Sequence, residues 1–379
     1  MRTLTLSNQP QNEAVHVRQI AFVAAFILPI GKLTEAPAIL ASHAKGDILL
    51  PALLHFLLQA GLLFLVLFAV ARSEKTVIER LEEKFGKGVI IFYLLYAAYF
   101  LFAVLLPLLD AEKFTYAVFF DTAPTVFSFA FFFILCAFIC TKGLKAVGRF
   151  ADFCLFLFVL PFVSLIALSL VETDFTRLLP LFGTKFGDSF TAFTYTTPHF
   201  SDIVLLLPLL CNYRPKKGDA PKILGGYAAG AFCVLLFLAV FFGIYSSIAP
   251  REHYAFSKIA QYFPALSVIG RIDLIFVYSL SVVLLYFTCL PVQYATDLLA
   301  RTFRTNRRVL IATLLSVALF IFTLYCNKYY NGIYALFSQR LYFVFWLIAD
   351  LLPLGLLLLP AQKTQNTARS KKQKEKGYA

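Results

Sequence analysis

Pro29-Ile30-Gly31-Lys32-Leu33-Thr34-Glu35-Ala36-Pro37 lies inside one long apolar stretch, and Thr194-Tyr195-Thr196-Thr197-Pro198-His199-Phe200-Ser201-Asp202 lies inside another. A proline removes a backbone donor and clashes with the preceding helical turn. A glycine lowers the cost of non-helical angles. Prolines, a glycine and several polar side chains within apolar surroundings therefore predict local unwinding of two otherwise helical segments. In hydrocarbon the freed backbone groups must be satisfied by neighbouring protein, water, an ion or a ligand.

The surroundings of these two stretches are consistently apolar. Of 379 residues, 60 % are hydrophobic and 15 % charged, against about 25 % charged in an average soluble domain. The 43 Phe exceed what one soluble core of this length needs. Apolar runs of about twenty residues recur along the chain, each long enough to cross a hydrocarbon layer about 30 Å thick as a helix. Barrel strands would show segments of about ten residues with alternating polarity, a pattern the chain lacks. The expected spans are 18–42, 48–71, 88–109, 124–140, 151–171, 190–211, 222–248, 272–299, 309–326 and 341–360. The fold class is thus an all-α polytopic membrane protein of about ten helices. Residues 1–17 form a polar N-terminal segment, 18–361 the transmembrane domain and 362–379 a basic tail. Pro29, Gly31, Lys32 and Glu35 interrupt the apolar core that a signal peptide needs, so the first apolar segment reads as a retained span.

The net charge of +13 does not signal nucleic acid, because the basic residues sit in short loops between apolar runs. With the N-terminus inside, the cytoplasmic loops carry Arg72, Lys75, Arg80, Lys84 and Lys87, then Lys142, Lys145 and Arg149, then Arg214, Lys216, Lys217 and Lys222, then Arg301, Arg304, Arg307 and Arg308. The basic tail adds to that side. The opposite loops hold only scattered cations such as Lys113, Lys185 and Lys258. Ten spans with both termini cytoplasmic fit the positive-inside rule. Between spans two and three, Val77, Ile78, Leu81 and Phe85 recur at helical spacing and predict an amphipathic helix on the cytoplasmic surface. The loop 249–270 predicts a short helix with Ile259, Tyr262 and Phe263 on one side.

Chemistry-bearing motifs are missing. There is no GxSxG, no HExxH and no phosphate loop, so neither a catalytic residue nor a cofactor is expected. The seven cysteines lie in apolar runs without CxxC spacing, and the five histidines are scattered. No metal site is expected. Pro107, Pro161, Pro291 and Pro353 read as ordinary packing kinks.

The two interrupted segments are spans one and six, equivalent members of two five-span halves. Broken helices at matching positions of two halves point to a small-molecule site near the bilayer midplane. Ionisable groups at mid-span cost about 2.5–3.5 kcal/mol on insertion scales and persist when paired or facing a wet cavity. Lys32 either pairs with Glu35 three residues on, snorkels to the outer interface, or meets Asp202, whose partner must come from another span, water or a ligand. The candidate ligand site therefore comprises Gly31, Lys32, Thr34 and Glu35 on one side, and Tyr195, Thr196, Thr197, Pro198 and Asp202 on the other. Half-helix N–H groups suit a carboxylate, and unwound carbonyls with Glu35 or Asp202 suit an ammonium group.

Four stretches resemble the B subunit of spore germinant receptors, a spore germination permease branch of the amino acid–polyamine–organocation transporter superfamily. They are Lys75 to Gly88 running into Phe92-Tyr-Leu-Leu-Tyr96, Lys142 to Asp152, Pro198 to Asp202 followed by Pro208 to Lys217, and Phe256 to Arg271. The resemblance covers roughly residues 18 to 360. It implies a leucine-transporter-like fold, an inverted 5+5 repeat with helices one and six broken. It implies a receptor in the spore inner membrane, assembled with an A subunit and a lipoprotein C subunit, that senses an amino-acid-like nutrient. The alternative is a free-standing amino acid or polyamine permease. The charged Lys32 and Glu35 depart from the small, uncharged break expected of the family.

Overall fold

The computed structural model describes residues 16–72, 75–105, 107–111, 125–179, 183–213, 216, 218–262, 273–336, 341, 344 and 346–355. The expected polar N-terminal segment (except His16 and Val17), the basic tail, Lys113, Arg214, Lys217 and Phe263 to Arg271 lie outside these residues. Among the described residues the secondary structure is entirely helical. We number the main helices α1 Val17–Ile30, α2 Ala36–Ala44, α3 Leu49–Ala71, α4 Val77–Phe85, α5 Val89–Ala103, α6 Thr125–Thr141 and α7 Leu144–Glu172. There follow α8 Phe186–Phe200, α9 Asp202–Cys211, α10 Asp219–Tyr245, α11 Ala255–Gln261, α12 Asp273–Thr302 and α13 Arg308–Asn327.

Six described stretches are long and apolar enough to cross a membrane: Leu49–Ala71, Val77–Ala111, Gly148–Glu172, Asp219–Arg251, Asp273–Thr302 and Arg308–Cys326. The other expected spans fall short of that measure for identifiable reasons. The first is divided into α1 and α2 and the sixth into α8 and α9; α6 has 17 residues, and of 341–360 only parts are described. The large apolar side chains on the outside, such as Val171, Phe156 and Leu160 (83, 80 and 73 % exposed), form the kind of surface that lipid covers.

Two local arrangements fix the frame of the site. Gly226 and Gly230 of α10 press on α1, where a Cβ would stand 2.6 Å from the Ala21 carbonyl oxygen or 2.8 Å from that of Ala24. Small residues allow this backbone approach, as in other membrane helix pairs. The expected amphipathic helix is α4. It begins at a reciprocal cap in which the Glu79 N–H donates to Thr76 Oγ1 (3.3 Å) and the Thr76 N–H to Glu79 Oε2 (3.0 Å). It ends at Gly86, whose φ of +53° a Cβ would strain. Val77 and Ile78 are buried, and the Arg80 guanidinium donates to the Ala69 carbonyl at 3.0 Å, which ties α4 to the end of α3.

The loop before span eight contains α11, with Ile259 buried, whereas Tyr262, expected on the same side, follows the helix end and is 41 % exposed. Pro161 and Pro291 sit inside continuous helices. Six of the cysteines are free; the Sγ atoms of Cys136 and Cys140 are 4.0 Å apart, about twice a disulfide bond. The Cys154 side chain lies outside the described atoms.

Candidate functional site

The first break occupies residues 31–35, between α1 and α2. Gly31 itself keeps ordinary right-handed angles (φ −59°, ψ −15°). Its purpose is room: a Cβ there would stand 2.8 Å from Cζ of Phe287 on α12. The unwound turn leaves carbonyls to be satisfied, and the loop after α10 supplies the donors. The Ala255 N–H donates to the Thr34 carbonyl and the Phe256 N–H to the Leu33 carbonyl, both at 3.0 Å. The start of α11 therefore closes over the break, and these two carbonyls, expected to suit an ammonium group, are already engaged by protein.

The second break is narrower than the sequence suggests. Tyr195 to Pro198 remain helical within α8, and the chain leaves helical geometry at Ser201 (φ −77°, ψ 66°) before α9 begins at Asp202. Threonine and serine hydroxyls bond back to carbonyls one turn earlier, Thr197 to Phe193 (3.1 Å) and Ser201 to Thr197 (2.9 Å). The Ser201 hydroxyl thereby serves a carbonyl of the last turn of α8, where the helix ends. At the start of α9 the Ile203 N–H is taken by Oε1 of Gln59 (3.1 Å), reaching in from α3.

The breaks meet through one ion pair. Lys32 Nζ lies 2.5 Å from Asp202 Oδ1, with side chains 1 and 4 % exposed. Lys32 also donates to the Leu28 carbonyl at 3.0 Å and stands 5.4 Å over the Phe200 ring. The second Asp202 oxygen accepts from the Tyr227 hydroxyl at 2.9 Å. Each charge is thus paired and hydrogen-bonded, the condition on which a buried pair persists. Lys32 and Glu35 do not serve as each other's counter-ion; Glu35 Oε2 lies 2.7 Å from Nδ1 of His253 in the loop after α10. That bond, above all other influences, holds the half-exposed imidazole above its usual range.

A cavity opens beside this pair. Gly31, Thr34, Pro198 and Asp202 line it. Lys32, Glu35, Tyr195, Thr196 and Thr197 are not among its lining residues. Lys32 packs behind Asp202, Tyr195 stacks on His43 with ring centres 4.4 Å apart, and Thr196 faces His55 at 3.2 Å. Sequence reasoning did not anticipate His199, Asp110, Tyr99, Tyr254 and Phe287, which complete the walls. His199 was legible, being inside the interrupted stretch; its Nδ1 is buried and has no hydrogen-bond partner among the described residues. The others lie on distant helices or in the loop after α10 and carry no local signal. Pro107 and Pro291, read as packing kinks, also line the cavity. Measured at the centres of water-sized spheres the cavity holds about 80 Å³, several times what a single water needs. Among the described residues no cluster of His, Cys, Asp or Glu is arranged to hold a metal ion.

Comparison with solved structures shows the same architecture. The structure of MhsT in complex with L-phenylalanine superposes with a TM-score of 0.65 over 91 % of this chain and 89 % of that one, at 14 % identity. Two mutant forms of a manganese transporter from Eremococcus coleocola each superpose with a TM-score of 0.55 over 90 % of this chain and 78 % of theirs, at 12 % identity. At such identities the likeness is one of fold: a leucine-transporter-like arrangement of membrane helices. A search of curated protein sequences finds no match. The model of the family described as spore germination protein matches residues 16–330. With six stretches long and apolar enough to cross a membrane, this chain belongs to the spore germination protein family, as an integral membrane protein of transporter-like fold.

Proposed function

We propose that the chain is the membrane subunit of a spore germinant receptor, binding a small amino-acid-like nutrient in the cavity between the two broken helices. The observation that carries this reading is the meeting of both breaks at one cavity, with Asp202 in its wall and Lys32 paired behind it. Family membership supports a role in germination. The complex of MhsT with L-phenylalanine supports a small zwitterion as the class of ligand for this fold. Binding would bias an equilibrium between conformations and pass the change to an A subunit and a lipoprotein C subunit in the spore inner membrane. The reading includes ten spans with both termini cytoplasmic, arranged as an inverted 5+5 repeat with the breaks at equivalent positions.

The test is ligand-dependent thermal stabilisation of the purified protein, with L-amino acids screened singly and L-phenylalanine first. Gly31→Leu would drive a side chain into Phe287 and abolish the shift. Asp202→Asn and Lys32→Met would each weaken it. Full-strength binding by all three folded variants places the site elsewhere. The likeness to a manganese transporter favours a second reading, a free-standing permease. Uptake of labelled substrate by liposomes containing this chain alone would select it, whereas binding without net transport selects the receptor.

A further inference from the structure

A second and larger cavity lies at the end of the molecule where the basic loops gather, away from the site between the breaks. Measured in the same way it holds about 310 Å³, roughly four times the first. Its walls are apolar, with Phe85 of α4, Phe92, Tyr96 and Phe100 of α5, Leu207 of α9 and Leu298 of α12. Its rim carries Lys84, Asn212 and Arg301, and Arg301 donates to Asn212 Oδ1 at 3.1 Å. Asp297 also borders it, but Arg308 stands 3.8 Å from that carboxylate. The rim is therefore cationic and the interior greasy.

The third feature is polar and deep. Tyr294 is fully buried and lines the cavity, and its hydroxyl has no hydrogen-bond partner among the described residues. A buried hydroxyl is normally satisfied. Tyr294, Leu298 and Arg301 follow one another on α12 at spacings of four and three, so they share one face of that helix. Along its axis Tyr294 and Arg301 are about 10 Å apart. The face thus reads, from inside to rim, as hydrogen-bond donor, apolar wall and cation.

We propose that this groove binds an anionic phospholipid of the adjoining leaflet. One acyl chain runs inward along Tyr96, Phe100 and Leu207, and its glycerol end passes Leu298. A glycerol ester carbonyl accepts from the Tyr294 hydroxyl, and the phosphate faces Arg301 and Lys84. Free phosphate offers only the last of these contacts. α4, the amphipathic helix at the rim, lies where the headgroups of that leaflet sit.

The test uses the purified full-length protein in a non-ionic detergent, stripped of lipid. It is titrated with phosphatidylglycerol, with phosphatidylcholine of the same chains, and with inorganic phosphate. Bound lipid is counted by native mass spectrometry and the melting temperature followed in parallel. One phosphatidylglycerol per chain is expected, with phosphatidylcholine about fivefold weaker and inorganic phosphate without effect. Arg301→Gln or Lys84→Gln should each erase most of that fivefold preference. Tyr294→Phe should weaken both lipids alike while leaving the lipid-free melting temperature unchanged, since the hydroxyl has no hydrogen-bond partner among the described residues. Leu298→Trp should block the groove. Equal retention of the two lipids, or retention indifferent to both Tyr294→Phe and Leu298→Trp, overturns the proposal. So does lipid binding that begins only after residues 356–379 are deleted, because the chain's own segment would then be the occupant.

Discussion

Removing Lys32 should destabilise this protein more than removing any exposed cation, and the loss should be largely recovered by neutralising Asp202 as well. Lys32→Met leaves the Asp202 carboxylate buried with only the Tyr227 hydroxyl as a partner. Asp202→Asn leaves a buried ammonium group without a counter-ion, supported by neutral oxygens such as the Leu28 carbonyl. Breaking a buried pair from one side costs about 3–5 kcal/mol, whereas replacing both members is often close to neutral. At about 2 °C per kcal/mol for a large chain, each single variant should melt roughly 6–10 °C below the parent. The double variant Lys32→Met/Asp202→Asn should regain more than half of the summed loss. The assay is thermal unfolding of the purified full-length protein, analysed as a double-mutant cycle. Lys32→Met combined with Glu35→Gln provides the control, because Glu35 takes His253 as its counter-ion; those two losses should simply add. Additive losses for Lys32 and Asp202, or strong coupling between Lys32 and Glu35, would refute the pairing.

Three further outcomes are expected. The Glu35 hydrogen bond raises the folded-state pKa of His253 above its usual 6.5. Its stabilising contribution is therefore fully present below that value and fades as pH rises through the folded-state pKa. Melting curves from roughly pH 6 to 8 should show this loss in the parent but not in His253→Gln; parallel pH profiles for the two would remove the link between loop and break. Gly226→Ala should cost roughly 1–3 kcal/mol by pushing α10 off α1, while Gly225→Ala, where a Cβ meets open space, should be within about 0.5 kcal/mol of the parent. Equal effects would mean that the close helix contact is not real. A version with all seven cysteines replaced should fold, and single cysteines reintroduced at Lys185 and Lys258 should react with impermeant thiol reagents from outside; those at Lys216 and Arg304 should not. The reverse pattern would reject the proposed orientation.

The membrane class and both interrupted segments were legible in the sequence, because they depend on local chemistry. An apolar run of about twenty residues has few options other than a helix across hydrocarbon. Pro29, Gly31 and Pro37, or Pro198 beside Ser201, perturb a helix whatever surrounds it. The amphipathic period of Val77 to Phe85 and the cap formed by Thr76 and Glu79 are likewise properties of the segment itself. Positions of this kind are fixed by neighbours within about one turn.

What only the tertiary structure decided was who meets whom. Lys32 and Glu35 are three positions apart, yet Lys32 takes Asp202, 170 positions away, and Glu35 takes His253, 218 positions away. The unwound turn at 31–35 rotates the two side chains out of the shared helical face on which a local pair depends. The carbonyls of Leu33 and Thr34 are occupied by a loop helix whose sequence gives no hint of that role. Gly31 is needed for the Phe287 ring packed against it and not for its own backbone angles. Asp110, Tyr99 and Tyr254 reach the cavity from separate elements. Burial makes such long-range pairings obligatory, since a charge or carbonyl without water must find a partner somewhere in the fold. Sequence period names the need; only packing supplies the partner.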